Sequence, residues 1–218
     1  MSSFDCLNEI CQLNKEYVVS KTLKKYNADP KKWKEVVSSL KYIFVGDNPG
    51  TIEERHEEYF YYGDNEKSQT GVNTHNFIKD FLKIEIEKEE ILFLNKSLKP
   101  TKETTDLYDS DPLEDKSLAQ VAQLIKAVVN ENKNVFVCIF GLDSFEAGYF
   151  ESFFKDLGEN KNIGLYPHPS RRQPISKKEQ EHFLKGYDKQ EVFKTYGKLR
   201  YLDETKSLIE RCKEVCKK

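Results

Sequence analysis

The sequence has no run of apolar residues long enough to span a membrane. Its opening residues, MSSFDCLNEICQ, lack the basic and apolar regions of a signal peptide. These absences lead to the expectation of a soluble protein of the cytoplasm (or the nucleus, in a eukaryote) with no membrane partner. Neither GxxxxGK[ST] nor GxGxxG occurs, which argues against the usual phosphate-cradling nucleotide enzymes. Neither sign of charge dominates. Charged residues make up 33% of the chain, yet the formal net charge is −2, so any affinity for nucleic acid has to come from a local patch. The five cysteines, Cys6, Cys11, Cys138, Cys212 and Cys216, contain no CxxC pair. Their CxxxxC and CxxxC spacings suit zinc poorly, so we read them as buried reduced thiols and expect neither metal nor cofactor. Internal repeats and low-complexity linkers are also absent.

What the chain does contain is four short apolar runs, at residues 42–45, 91–94, 135–140 and 163–166. Segments with helical spacing separate them, a pattern that predicts a parallel sheet with helices on both faces. The expected fold is therefore α/β, a three-layer α/β/α sandwich around a four-stranded parallel sheet. At 218 residues the length suits one domain, with N-terminal helices at 1–40, a core at 41–174 and C-terminal helices at 175–218. Leu7, Ile10, Leu13 and Tyr17 predict one surface helix over 4–26. Asp29-Pro30 predicts the N-cap and first residue of a second helix through Trp33, Val36, Val37 and Leu40. Further helices are expected at 74–82, 117–130, 144–157 and 204–217, and after the Ser176/Glu179 capping box.

Polar residues stand where the strands stop. In residues 41–51, KYIFVGDNPGT, the first strand runs into Gly46-Asp47-Asn48-Pro49-Gly50. The two glycines permit backbone angles or close approaches that a Cβ would block. Pro49 fixes its own φ and pushes Asn48 toward an extended conformation. Asp47 and Asn48 are thus presented beyond a strand's carboxyl end, where parallel α/β sheets bind ligands; an ordinary strand-to-loop turn is the alternative. The second strand stops at Asn95, and the fourth at Pro167-His168-Pro169-Ser170. Two long loops, 51–72 and 96–116, carry the connections; loops this long are usually functional or mobile. The acidic stretch 53–58 reads as a solvated turn.

These residues resemble the uracil-DNA glycosylase superfamily. GDNPG is similar to the first motif, G-x-N-P-G, of the mismatch-specific and single-strand-selective monofunctional types. HPSRRQP resembles the second, nearest to the H-P-S-P-R-N-P form of the single-strand-selective type. Asn95 matches the asparagine that reads the uracil edge, and Phe60 the aromatic that stacks on the flipped base. The resemblance runs over 41–174 and keeps the order of the family's elements. It implies a monomeric base-excision repair enzyme that binds DNA, single- or double-stranded, flips out a damaged base and hydrolyses the N-glycosidic bond of uracil or another deaminated base. The cysteines do not reproduce the spacing of the family's iron–sulfur members, so no cluster is expected.

The resemblance also implies roles. His168 would be a neutral imidazole donating to the base oxygen nearest the sugar, where negative charge gathers as the base leaves. Asn48 occupies the place of the water-orienting asparagine, and Asp47 the place where the iron–sulfur type carries glutamate. A carboxylate can accept a proton and an amide only orients water, so the choice between them is open; Asp47 could equally bind loop amides. Phe60, Asn95, Gly46 and Pro49 would form the base pocket, with Asn95 offering donor and acceptor together to uracil. The neighbouring Tyr59, Tyr61 and Tyr62 leave the choice of stacking ring open, and the aromatic run could be plain core. Asn95 could instead cap a turn, and His168 satisfy one. Ser170, Arg171, Arg172 and Lys177, with Lys178, would contact DNA, the arginines filling the gap left by the extruded base. Two other readings stand beside this one: a base-binding module without turnover, and a nucleotide-processing enzyme using the same sheet rim.

Overall fold

The computed structural model describes residues 1–78, 90–102, 115–141, 144, 150–158 and 162–166. The four apolar runs form β1 (Tyr42–Gly46), β2 (Ile91–Asn95), β3 (Phe136–Phe140) and β4 (Ile163–Tyr166). All pair in parallel, in the spatial order β2-β1-β3-β4. β1 and β3 are central and buried along their whole length, which is why they read as continuous apolar runs rather than alternating ones. β1 and β2 each extend one residue further than expected, so that Gly46 and Asn95 are themselves paired across the sheet.

The connection from β1 to β2 crosses the sheet in one direction, and those from β2 to β3 and β3 to β4 in the other. Right-handed crossovers then place the first connection on one face and the other two on the opposite face. The first carries α4 (Thr51–His56) and α5 (Gln69–Phe77); the others carry α6 (Lys116–Glu131) and α7 (Glu151–Leu157). The order of the strands reverses direction between β1 and β3, which makes the crevice between their carboxyl ends the natural place for a site. α6 packs on α7 and on α1 (Ser3–Cys11). Its buried stripe is the expected one, Leu118, Val121, Ala122, Leu124, Ile125, Val128 and Val129, and Asp115 caps it by accepting the Ser117 N–H.

Where one helix was expected over 4–26, two are present, α1 and α2 (Lys21–Asn27). Local side-chain bonds compete with the helix: Asn14 Oδ1 takes the Glu16 N–H, and Ser20 caps a new start by accepting from Leu23. Nor is this surface structure, since Leu7, Ile10 and Leu23 are fully buried. α3 (Pro30–Ser39) begins as expected, with Asp29 as N-cap and Pro30 at its first position. The Trp33 indole N–H donates to Ser3 Oγ at 2.9 Å, and Ser3 Oγ donates in turn to Glu131 at 2.6 Å, joining α3, α1 and α6. Asn132, just past α6, donates to the Val37 and Leu40 carbonyls, both at 2.8 Å.

α5 starts at Gln69, capped by Ser68, rather than at residue 74. Of the helix expected over 144–157, residues 151–157 form α7, preceded by Phe150 at φ +63°, and residues 145–149 lie outside the described residues. The helices expected after Ser176 and over 204–217, with Cys212 and Cys216, lie outside the described residues. Cys6 and Cys138 are buried and Cys11 partly so, all three as free thiols. Burial raises the Cys11 thiol to about 11, which suits an inert packing role. Among the described residues no helix is long and apolar enough to cross a membrane.

Candidate active site

The loops leaving β1 and β2 run side by side and are laced together. Lys96 N–H donates to the Gly46 carbonyl, Ser97 N–H to Asp47 and Thr101 N–H to Pro49, at 2.9, 2.9 and 3.1 Å. Asn48 Nδ2 adds a bond to Thr101 Oγ1 at 2.7 Å and one to the Pro49 carbonyl at 3.2 Å. Donation through the amide nitrogen fixes which way the Asn48 carboxamide faces. The start of α6 anchors the second loop: Leu98 N–H donates to Ser117 Oγ at 2.8 Å, and Ser97 Oγ to the Asp115 carboxylate.

Gly46, Asn95 and Phe60 meet. A Cβ on Gly46 would lie 2.3 Å from Asn95 Oδ1 and 3.1 Å from Phe60 Cζ. Glycine is therefore required at this position for close approach. Gly50 is different: its φ is −82° and a Cβ there would meet only Glu53 Oε2, at 3.8 Å, so neither angle nor space demands glycine. Asn95 is 2% exposed, and its Nδ2 is buried with no partner among the described residues. The structure also separates the four consecutive aromatics. Tyr59 donates its hydroxyl to the Val18 carbonyl, Tyr61 stacks on His56 at 3.8 Å, and Tyr62 lies between Lys67 and His75. Phe60 turns instead toward Gly46, with its ring against Phe93 and Phe140 at 5.1 and 6.1 Å. Burial pushes the neighbouring His75 down to about 4, so this ring is neutral.

Asp47 lies in the crevice between β1 and β3, 4% exposed. Its Oδ1 accepts from Lys96 Nζ and its Oδ2 from Ser144 Oγ at 2.7 Å. The Lys96 ammonium is fully buried; it also donates to the Phe140 carbonyl and sits 4.8 Å above the Phe150 ring. Burial lowers its pKa, and the Asp47 carboxylate pulls it back up. A Cβ on Gly141, whose φ is +95°, would come 2.1 Å from Asp47 Oδ1. Asp47 thus forms one half of a buried ion pair joining the ends of β1, β2 and β3. Lys96 escaped sequence reading because a lysine beside a polar loop normally reads as solvated; its place directly after Asn95 was the available signal.

The acidic stretch 53–58 is not a solvated turn. Residues 51–56 form α4, and Glu53 is 5% exposed. Its Oε2 accepts the Gly50 N–H at 2.9 Å and its Oε1 the Phe60 N–H at 2.6 Å. Burial raises its pKa, opposed by those two bonds. Glu58 accepts from the Thr22 hydroxyl and N–H. The signal was present as a glutamate at the third position of a helix, where it binds back to the cap.

His168, Ser170, Arg171, Arg172 and Lys177 lie outside the described residues. Among the described residues, no group of three or more His, Cys, Asp or Glu could hold a metal ion. No protein-family model matches the sequence, and no curated protein matches it.

Proposed function

We propose that the protein is a DNA glycosylase of the uracil-releasing kind, hydrolysing the N-glycosidic bond of uracil or another deaminated base. The observation that carries the reading is the meeting of Phe60 and Asn95 over Gly46, with the Asn95 amide donor buried and unpaired. A buried donor without a partner costs about 1–3 kcal/mol, and a base carbonyl would satisfy it. Uracil offers an acceptor and a donor to the asparagine carboxamide, and cytosine offers the reverse pattern. Phe60 would stack on the ring. Both side chains are buried, so a base held against them would lose its bond to the sugar away from bulk water.

In this reading the base leaves as an anion, stabilised by a donor from His168, while water attacks the sugar from the other side. Of the two residues that could position that water, we assign Asn48. Asp47 is neutralised by Lys96, and a carboxylate held that way is a poor proton acceptor. Pro49 stiffens the loop that carries both, and Ser170, Arg171, Arg172 and Lys177 would hold DNA.

The neutralised Asp47 also favours a second reading, a base-binding module without turnover. One experiment separates the two. Purified protein is incubated with uracil-containing single- and double-stranded oligonucleotides, and abasic sites are revealed by alkali. Cleavage that disappears in His168→Ala supports the glycosylase, binding without base release supports the module, and activity only on free nucleotides refutes both.

A further inference from the structure

Glu53 is a buried carboxylate with no cation paired to it among the described residues, an arrangement that is costly unless the charge is used. Its two oxygens serve two separate backbone amides, Gly50 at the end of the GDNPG loop and Phe60 in the aromatic run. A glutamine could accept from only one of these and would turn a donor toward the other. The chain between the two amides reverses through left-handed residues, Glu57 at φ +51° and Phe60 at φ +53°. Neither is a glycine, so this conformation has to be imposed by the surroundings. The Phe60 N–H is donated directly to Glu53, and the Phe60 ring ends against Gly46.

We propose that Glu53 is a positioning residue: its carboxylate ties the Phe60 backbone to the GDNPG loop and so sets the Phe60 ring beside Asn95 for stacking on a base. The inference rests on the function proposed above and adds to it the residue through which the stacking ring is placed. Glu53 itself touches no base.

The test is a double-mutant cycle on single-turnover release of uracil from a single-stranded oligonucleotide, using the full chain. Glu53→Gln should slow release roughly tenfold, the scale of one base-stacking contact. Phe60→Leu should slow it at least as much, and the double variant no further than Phe60→Leu alone. Losses that multiply, or no loss in Glu53→Gln, would overturn the proposal. A second measurement needs no variant and no DNA. In the wild-type protein, the amide resonances of Gly50 and Phe60 should move together with one midpoint as Glu53 titrates; independent or absent movement also overturns the proposal. If the wild type neither binds nor cleaves uracil-containing DNA, the proposed function falls and the stacking role falls with it. Joint movement of the two amides in that case would leave the clamp itself established, so the two failures are distinguishable.

Discussion

Replacing Lys96 by methionine should unfold the protein more readily than almost any other single change at the sheet rim. Methionine keeps most of the lysine stem's volume, so little cavity is created. What is lost is the ammonium, which is fully buried and donates to both Asp47 and the Phe140 carbonyl. Asp47, 4% exposed, would keep the Ser144 hydroxyl and lose the counter-charge that Lys96 supplies. Leaving a buried charge unpaired costs about 3–5 kcal/mol, against a usual total stability of about 5–15 kcal/mol. For a chain of this length that is a fall in Tm of roughly 10 °C, read by circular dichroism during thermal or urea unfolding. The reverse change, Asp47→Leu, should behave differently. There the buried group is an amine that can shed its proton, so its folded pKa falls further below the unfolded value of about 10.4. The unfolded state then binds more protons, and the stability of this variant should rise with pH up to that value. Combining the two, Asp47→Leu with Lys96→Met, replaces an ion pair by an apolar one and should recover most or all of the lost stability. The reasoning is refuted if Lys96→Met melts within about 2 °C of wild type, or if the double variant is as unstable as the two single losses added.

Two glycines should separate folding from base recognition. Gly46→Ala places a methyl 2.3 Å from Asn95 Oδ1 and should cost about 1–3 kcal/mol by overpacking, while slowing uracil release far more than the melting shift explains. Gly141→Ala meets both a positive φ and the Asp47 carboxylate, so it should destabilise by at least about 2 kcal/mol and change base preference little. Asn95→Asp, measured on uracil- and cytosine-containing oligonucleotides, should abolish uracil release or admit cytosine. Unchanged preference would remove Asn95 from the pocket.

The sheet was legible because its signal is local: four short β-prone runs, each stopped by glycine, proline or a polar residue, need no knowledge of tertiary contacts. The Asp29-Pro30 start of α3 was legible for the same reason. Elements whose bounds depend on distant partners were not. The break between α1 and α2 leaves Val18 to donate to the Leu98 carbonyl, and nothing near residue 18 announces residue 98. Of the candidate site, Gly46, Phe60 and Asn95 could be named from spacing and resemblance, though not the choice of Phe60 over its three tyrosine neighbours, which depends on where each ring finds a partner. Glu53 reads as solvated and Lys96 goes unnoticed because charged residues in polar loops are normally solvated, and only the fold shows what each has been buried to hold.

The break between α1 and α2 gives the N-terminal helices a part in the site beyond bracing the sheet. Residues 18–22 bond to both the loop that carries Phe60 and the loop that follows Asn95. Toward the Phe60 loop, Lys21 N–H donates to the Glu57 carbonyl at 2.8 Å, Thr22 binds the Glu58 carboxylate, and the Tyr59 hydroxyl donates back to Val18 at 2.6 Å. Toward the Asn95 loop, the Val18 N–H reaches Leu98 at 2.8 Å. Phe60 and Asn95 follow different strands, so their relative placement depends on ties between loops as well as on sheet pairing. The sheet fixes Asn95 against Gly46 through the β1–β2 register, Glu53 fixes Phe60 to the loop after β1, and the short N-terminal crossing joins the far sides of both. Loops held at that many points leave little slack for misplacing a flat ring by an ångström, and placement of that accuracy is what the proposed base release through oriented hydrogen bonds would require.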